Sequence, residues 1–163
     1  MSAFGGSTQA DYHSQKGLEY AQQGLFDEAL AEYTRALELA PGDFLAHYSR
    51  GALYAGRGEY QRALEDLTAA IELSPSFGEA YYHRALAYAD TGEYHRAIAD
   101  LSKALEINPT DLQAYINRGL VRMELGDAGE AIRDFERALV VTVDPQLRQM
   151  IKLQIERLGE AGD

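Results

Sequence analysis

The 163-residue chain has no cysteine and no tryptophan, only four prolines and three methionines, and too few cations to balance its anions: 15 Lys+Arg stand against 26 Asp+Glu, a net charge of −11. Without cysteine there is no disulfide framework, no thiolate metal site and no cysteine-linked acyl anchor, and the redox compartment is left open. The shortage of cations excludes counterion release from a phosphate backbone as the main source of affinity, so no nucleic-acid partner is expected. No run approaches the roughly 18 apolar residues that cross a bilayer, and residues 1–9 lack the charged and apolar regions of a signal peptide. The expectation is a soluble, cytoplasmic protein with no direct membrane insertion. What remains is 46% hydrophobic and 25% charged, a globular composition with enough apolar surface for a core.

Sliding the chain against itself gives a dominant offset of 34 residues. Gly24, Gly58, Gly92 and Gly126 keep it, as do Ala29, Ala63, Ala97 and Ala131, and Ala36, Ala70, Ala104 and Ala138. Tyr20, Tyr54 and Tyr88 keep it until Arg122 breaks it, and Pro41, Pro75 and Pro109 also fall on it. A period of this length means stacked supersecondary units, each too small to bury its own apolar face. The units are placed at 10–43, 44–77, 78–111 and 112–145.

Each unit is helical twice over. Phe26, Ala29, Leu30, Tyr33 and Leu37 share one helical stripe, and His13, Gly17 and Tyr20 share another. The recurring glycine sits where the first helix must reverse into the second, since only Gly enters a left-handed cap without steric cost. Pro then ends each second helix, and Asp, Ser or Thr can cap the next. Residues 145–158 read as a ninth helix, opened by Asp144 and Pro145, whose apolar Leu147, Met150, Ile151, Ile155 and Leu158 would cap the open edge of the last unit. Residues 1–9 and 159–163 read as tails.

The segments YYHRALAYADTGEYHRAIADLSKALEINP (81–109), LAHYSRGALYAGRGEYQRALEDLTAAIELSP (45–75) and YINRGLVRMELGDAGEAIRDFERAL (115–139) closely resemble the tetratricopeptide repeat, in a short, near-identical form that looks bacterial. The tryptophan common early in that family's unit is replaced by His13, His47, Tyr81 and Tyr115, and Ala85 stands where the other units have Gly17, Gly51 and Gly119. The resemblance implies an all-α, right-handed solenoid of antiparallel helix pairs in which the first helices line a concave surface.

A cation recurs in each first helix, at Lys16, Arg50, Arg84 and Arg118, and an acid follows 16 residues later, at Glu32, Asp66, Asp100 and Asp134. Four ion pairs between partly exposed groups are expected, each contributing on the order of 0.2 to 1 kcal/mol. The four histidines show no metal-ligand spacing, Gly56-Arg57-Gly58 lacks the third glycine and preceding strand of a phosphate loop, and no serine sits on a nucleophile elbow. Neither catalysis nor a cofactor is expected.

Function is therefore sought on the concave face. In the first half of the chain its expected lining is Leu18, Leu45, Tyr48, Ser49, Ala52, Glu79, Tyr82 and His83; in the second half it is Leu86, Asp90, Gln113, Ile116, Asn117, Leu120 and Met123. Some members of the family hold the C-terminal carboxylate of chaperones with lysines, asparagines and an arginine on successive first helices. At the matching places here stand Ser14, Leu18, Ser49, Glu79 and His83, which cannot form that clamp, and shifting by one unit gives Tyr48, Ala52, His83, Gln113 and Asn117. The expected role is a non-enzymatic interaction module that takes an apolar or weakly basic peptide or helix in an acid-fringed groove. The competing role is a scaffold that forms homo-oligomers through the ends of the array.

Overall fold

The computed structural model describes residues 4–160. These form nine helices and no strand: α1 (Phe4–Gln22), α2 (Phe26–Leu39), α3 (Phe44–Gly56), α4 (Tyr60–Leu73), α5 (Gly78–Asp90), α6 (Tyr94–Ile107), α7 (Leu112–Glu124), α8 (Ala128–Val141) and α9 (Pro145–Glu160). The chain is all-α, of the solenoid type built from antiparallel helix pairs, and it divides into two compact units, one ending at Arg84 and the other beginning at Ala85.

The turns follow from backbone chemistry. Gly24, Gly58, Gly92 and Gly126 adopt φ between 75° and 79°, and among the described residues no other residue type has a positive φ. This left-handed conformation lets each first helix end and the chain reverse within a few residues. The opposite ends are capped by side chains: Asp43 Oδ1 accepts from the amides of Leu45 and Ala46, Asp111 from Ala114, and Asp144 from Gln146 and Leu147.

In the first unit α1 packs on α2, α2 on α3 and α3 on α4. The buried stripes are Ala29, Tyr33, Ala36 and Leu37 on α2, and Ala63, Leu67, Ala70 and Ile71 on α4. Phe26, expected on the first of these stripes, is 48% exposed at the first position of α2. Close approach depends on absent side chains. A Cβ on Gly17 would lie 2.9 Å from the Tyr33 ring, and one on Gly51 would lie 2.9 Å from Leu67 Cγ.

In the second unit α6, α7, α8 and α9 pack in succession. Gly119 repeats the close approach, with its missing Cβ 2.9 Å from Phe135 Cε1. Ile151 of α9 is buried with Ala131, Phe135 and Ala138, and Leu147, Ile155 and Leu158 pack around them. Met150, expected on this face, is 69% exposed instead, because the packed stripe runs through 147, 151, 155 and 158. Arg148 donates to the Leu139 and Thr142 carbonyls and so ties α9 to the C-terminus of α8.

The helix ends differ from the expected tails. Helix α1 begins at Phe4, inside the stretch 1–9, although Gly5 and Gly6 are poor helix formers; buried Ala10 anchors that part of the helix by tertiary packing. Helix α9 runs to Glu160 and so takes in the first two residues of 159–163. Residues 1–3 and 161–163 lie outside the described ones. No described helix is long and apolar enough to cross a membrane.

Candidate functional site

The recurrent cations form a polar ladder within the units. Arg50 donates from Nε to Asp66 Oδ2 at 2.7 Å and from Nη2 to Oδ1 at 2.9 Å, while its Nη1 reaches back to Thr34 Oγ1 at 3.1 Å. Arg118 does the same with Asp134 and with Ser102 Oγ, and Arg84 donates to Thr68 Oγ1 at 3.1 Å. Lys16 reaches Glu32 at 3.3 Å. The expected pairs at Lys16–Glu32, Arg50–Asp66 and Arg118–Asp134 are thus formed. The partners are more enclosed than the sequence suggests, since Asp66 and Asp134 are buried. A bidentate, desolvated pair answers to the energetics of buried charge rather than of surface ion pairs.

The residues at the family's tryptophan position join this network. His47 shares Asp66 through Nδ1 at 2.9 Å and its Nε2 faces the Pro41 carbonyl at 3.1 Å. Tyr81 places its hydroxyl on the corresponding Pro75 carbonyl at 3.3 Å. His13 Nδ1 lies 2.6 Å from Glu32 Oε2, and this hydrogen bond, followed by those of Lys16, holds the Glu32 carboxyl below its usual range.

With the ladder accounting for the charges, an apolar surface of the first unit lies on the other side of its first helices. An open groove of about 460 Å³ is lined by Ser14, Gln15, Leu18, Tyr33, Leu45, Ala46, Tyr48 and Ser49. Leu18 and Leu45 are each 51% exposed on its walls. Tyr33, from the second helix, closes the floor through the gap that Gly17 leaves; burial pushes its phenol pKa up, and its hydrogen bond with the Ser49 hydroxyl opposes the shift. Sequence reasoning missed Tyr33 because it belongs to the packing stripe, and the signal that could have found it is the glycine facing it.

Beyond this groove Tyr48, Tyr82 and His83 form an aromatic surface. Tyr48 meets Phe77 edge-on at 4.9 Å and His83 at 5.4 Å, and Tyr82 meets His83 at 5.4 Å. Burial lowers the His83 pKa against the opposing pull of exposed Glu79. Tyr48 therefore works partly as packing between successive helix pairs, with Ala70, Ile71 and Ala80 behind it. Ala52 is half-buried and does not line the groove.

In the second unit Leu86 and Asn117 are half-buried, while Asp90, Gln113 and Leu120 are exposed. Ile116 and Met123 differ from expectation: both pack against the core cluster that α9 completes, and Met123 Sδ accepts from Gln154 Nε2 at 3.2 Å. The capping helix takes their contact area for itself. Among the described residues, no three His, Asp or Glu side chains converge as a metal-ligand set.

Tetratricopeptide repeat family models match residues 14–76, 78–111 and 112–139 in succession. The chain belongs to the tetratricopeptide repeat family. Repeats of this family are protein-interaction modules, generally without catalysis. A 41-residue stretch is 46% identical to the Hsp70-Hsp90 organising protein of Plasmodium falciparum, covering 25% of this chain and 7% of that protein. Among solved tetratricopeptide repeat structures, MamA is similar at 29% identity and a TM-score of 0.79, over 81% of this chain and 77% of that one. The first such domain of Spaghetti (RPAP3), bound to the HSP90 peptide SRMEEVD, is similar at 26% identity and a TM-score of 0.72, over 74% of this chain and 95% of that one. A tetratricopeptide repeat protein from Parabacteroides merdae shares the fold at 21% identity and a TM-score of 0.83, over 94% of this chain and 61% of that one.

Proposed function

We propose that this chain is a non-enzymatic interaction module whose first unit holds an apolar segment of a partner protein in the groove between Leu18 and Leu45. The groove itself carries the reading: it presents exposed leucines beside the buried ring of Tyr33 and the half-buried ring of Tyr48, with no charged side chain in its lining. Rigid rings offer contact area at low entropic cost, and desolvated apolar centres supply most of the energy of such contacts. An amphipathic helix or an extended apolar peptide suits it.

The similarity to a domain that binds the HSP90 peptide SRMEEVD supports peptide binding as a mode. The chemistry here favours a different peptide. Ser14, Leu18, Ser49 and His83 offer no fixed cation, and Glu79 is exposed nearby, so an acidic terminus would be repelled.

The test is affinity capture on the tagged chain beside Leu18→Asp/Leu45→Asp, with folding checked by circular dichroism. A protein retained by the wild type and lost from the variant supports the reading. Equal capture by both, or capture by neither, overturns it.

A second reading rests on Val143, Met150 and Leu153, exposed by 91%, 69% and 45% at the end of the second unit. Apolar side chains at an array end favour docking of a second copy. Concentration-dependent mass by light scattering that disappears in Met150→Glu/Leu153→Glu supports self-assembly, and a constant monomer mass excludes it.

A further inference from the structure

The repeats serve as internal controls for one another, and the last one departs from the others in a coherent way. On the outer face of each second helix one position carries Arg35, Ala69, Lys103 and Arg137, and the position three residues on carries Glu38, Glu72, Glu106 and Val140. Where the earlier repeats have a cation there, it is neutralised within its own helix: Arg35 reaches Glu38 at 2.6 Å and Lys103 reaches Glu106 at 2.7 Å. The last repeat keeps the cation but replaces its counter-ion with a valine that is 79% exposed. Arg137 has no hydrogen bond or ion pair among the described residues.

Substitutions beside it change the charge in both directions, since Glu130 and Glu136 stand where the third repeat has Arg96 and Ser102. Arg133 stands where the earlier repeats have Ala31, Glu65 and Ala99, and Arg122 replaces the series Tyr20, Tyr54, Tyr88. Arg122 is held inward, donating to Asp134 Oδ2 at 2.7 Å, and it shares Glu130 with Arg133. Arg118 also uses Asp134. Four guanidinium groups thus surround an open pocket of about 710 Å³ that Tyr115 and Val140 also line. Its carboxylates are three, Glu130, Asp134 and Glu136, and since Arg118, Arg122 and Arg133 are paired with Asp134 or Glu130, the excess of one cation falls on Arg137.

We propose that this outer pocket of the last repeat is a second docking surface, for an acidic peptide segment of a partner that places a carboxylate on Arg137 and an apolar side chain on Val140. The partner's carboxylate takes the place that Glu38 and Glu106 occupy for the equivalent cations. Guanidinium groups match carboxylates two donors at a time. Arg133 and Arg137 lie one helical turn apart, and Val140 continues the same face. The segment therefore carries an acidic residue followed, about one helical turn on, by an apolar one. This surface is separate in residues and in charge from the apolar groove of the first unit, so either can fail without the other.

Fluorescence anisotropy of the full chain with a labelled, end-blocked peptide of six glutamates followed by leucine tests it. Binding weakened by about ten-fold or more in Arg133→Glu/Arg137→Glu, yet unchanged in Leu18→Asp/Leu45→Asp, is the expected result for rim charges that act on a complementary partner. Val140→Ser reduces affinity for this peptide and not for the same peptide without its leucine. All of these side chains are exposed, and circular dichroism verifies that the variants are folded. Absence of binding by the wild type, equal binding by the charge-reversed variant, or competition by inorganic phosphate stronger than by chloride at matched ionic strength overturns the proposal.

Discussion

Arg50 holds Asp66 through two nitrogens while its third reaches Thr34, so one side chain joins the second helices of two consecutive repeats. Because Asp66 is buried and the Arg50 side chain only 19% exposed, removing the carboxylate leaves a largely desolvated guanidinium without its counter-ion. Asp66→Ala is expected to cost about 3–5 kcal/mol, and Thr34→Val about 1 kcal/mol. Urea unfolding checks both. The coupling energy between Arg50 and Asp66 in a double-mutant cycle should exceed that between Lys16 and Glu32, whose ammonium is more exposed.

Glycine replacement should discriminate between ring and aliphatic neighbours. Gly119 faces the edge of Phe135, and Gly51 faces Leu67. The third repeat already carries Ala85 at this position and Leu101 where Leu67 stands, both fully buried. Gly51→Ala should therefore be accommodated with a loss below about 1 kcal/mol, whereas Gly119→Ala, pressing on a planar ring, should lose about 1–3 kcal/mol. Comparable losses in chemical denaturation would refute the distinction.

The histidine in the aromatic cluster makes stability depend on pH with a definite sign. Burial lowers the His83 pKa from 6.5, so the unfolded chain binds the proton more readily. Its contribution is complete above about pH 6.5 and is lost as pH falls through the lowered folded value. Glu32, held below 4.5, adds a separate loss at more acidic pH. His83→Gln should flatten the melting temperature between about pH 7 and 5 relative to wild type; an unchanged slope in that range would count against the assignment.

The capping helix is expected to be needed for stability. Ile151 is buried against Ala131, Phe135 and Ala138, and Ile151→Ala should cost about 2–5 kcal/mol. Met150→Ala, on the exposed side, should change stability by less than about 0.5 kcal/mol. Thermal melts of the two variants make the comparison.

Much of the fold is legible in residue spacing. The 34-residue period, the four turn glycines and the capping aspartates are local signals, because a left-handed φ or an unpaired helix-end amide constrains one residue at a time. The ladder of cations and acids was also legible, but its burial was not: spacing says which residues face each other and nothing about how much water remains between them.

The groove was only partly visible. Leu18, Leu45, Tyr48 and Ser49 follow from the face opposite the packing stripe, whereas Tyr33 enters from that stripe itself through the space left by Gly17. Ile116 and Met123 were assigned to the same kind of surface, and both pack against the cluster that Ile151 of α9 joins.

The sequence by itself determined the repeat, the reversal of the chain at each positive-φ glycine and the pairing of charges 16 residues apart, because each depends on separations along one chain. Only the tertiary structure decided which aromatic rings pack and which remain open, and how deeply the acids of the ladder are buried. Those outcomes depend on what lies across the helix, and neighbours in space are set by packing rather than by order in the chain.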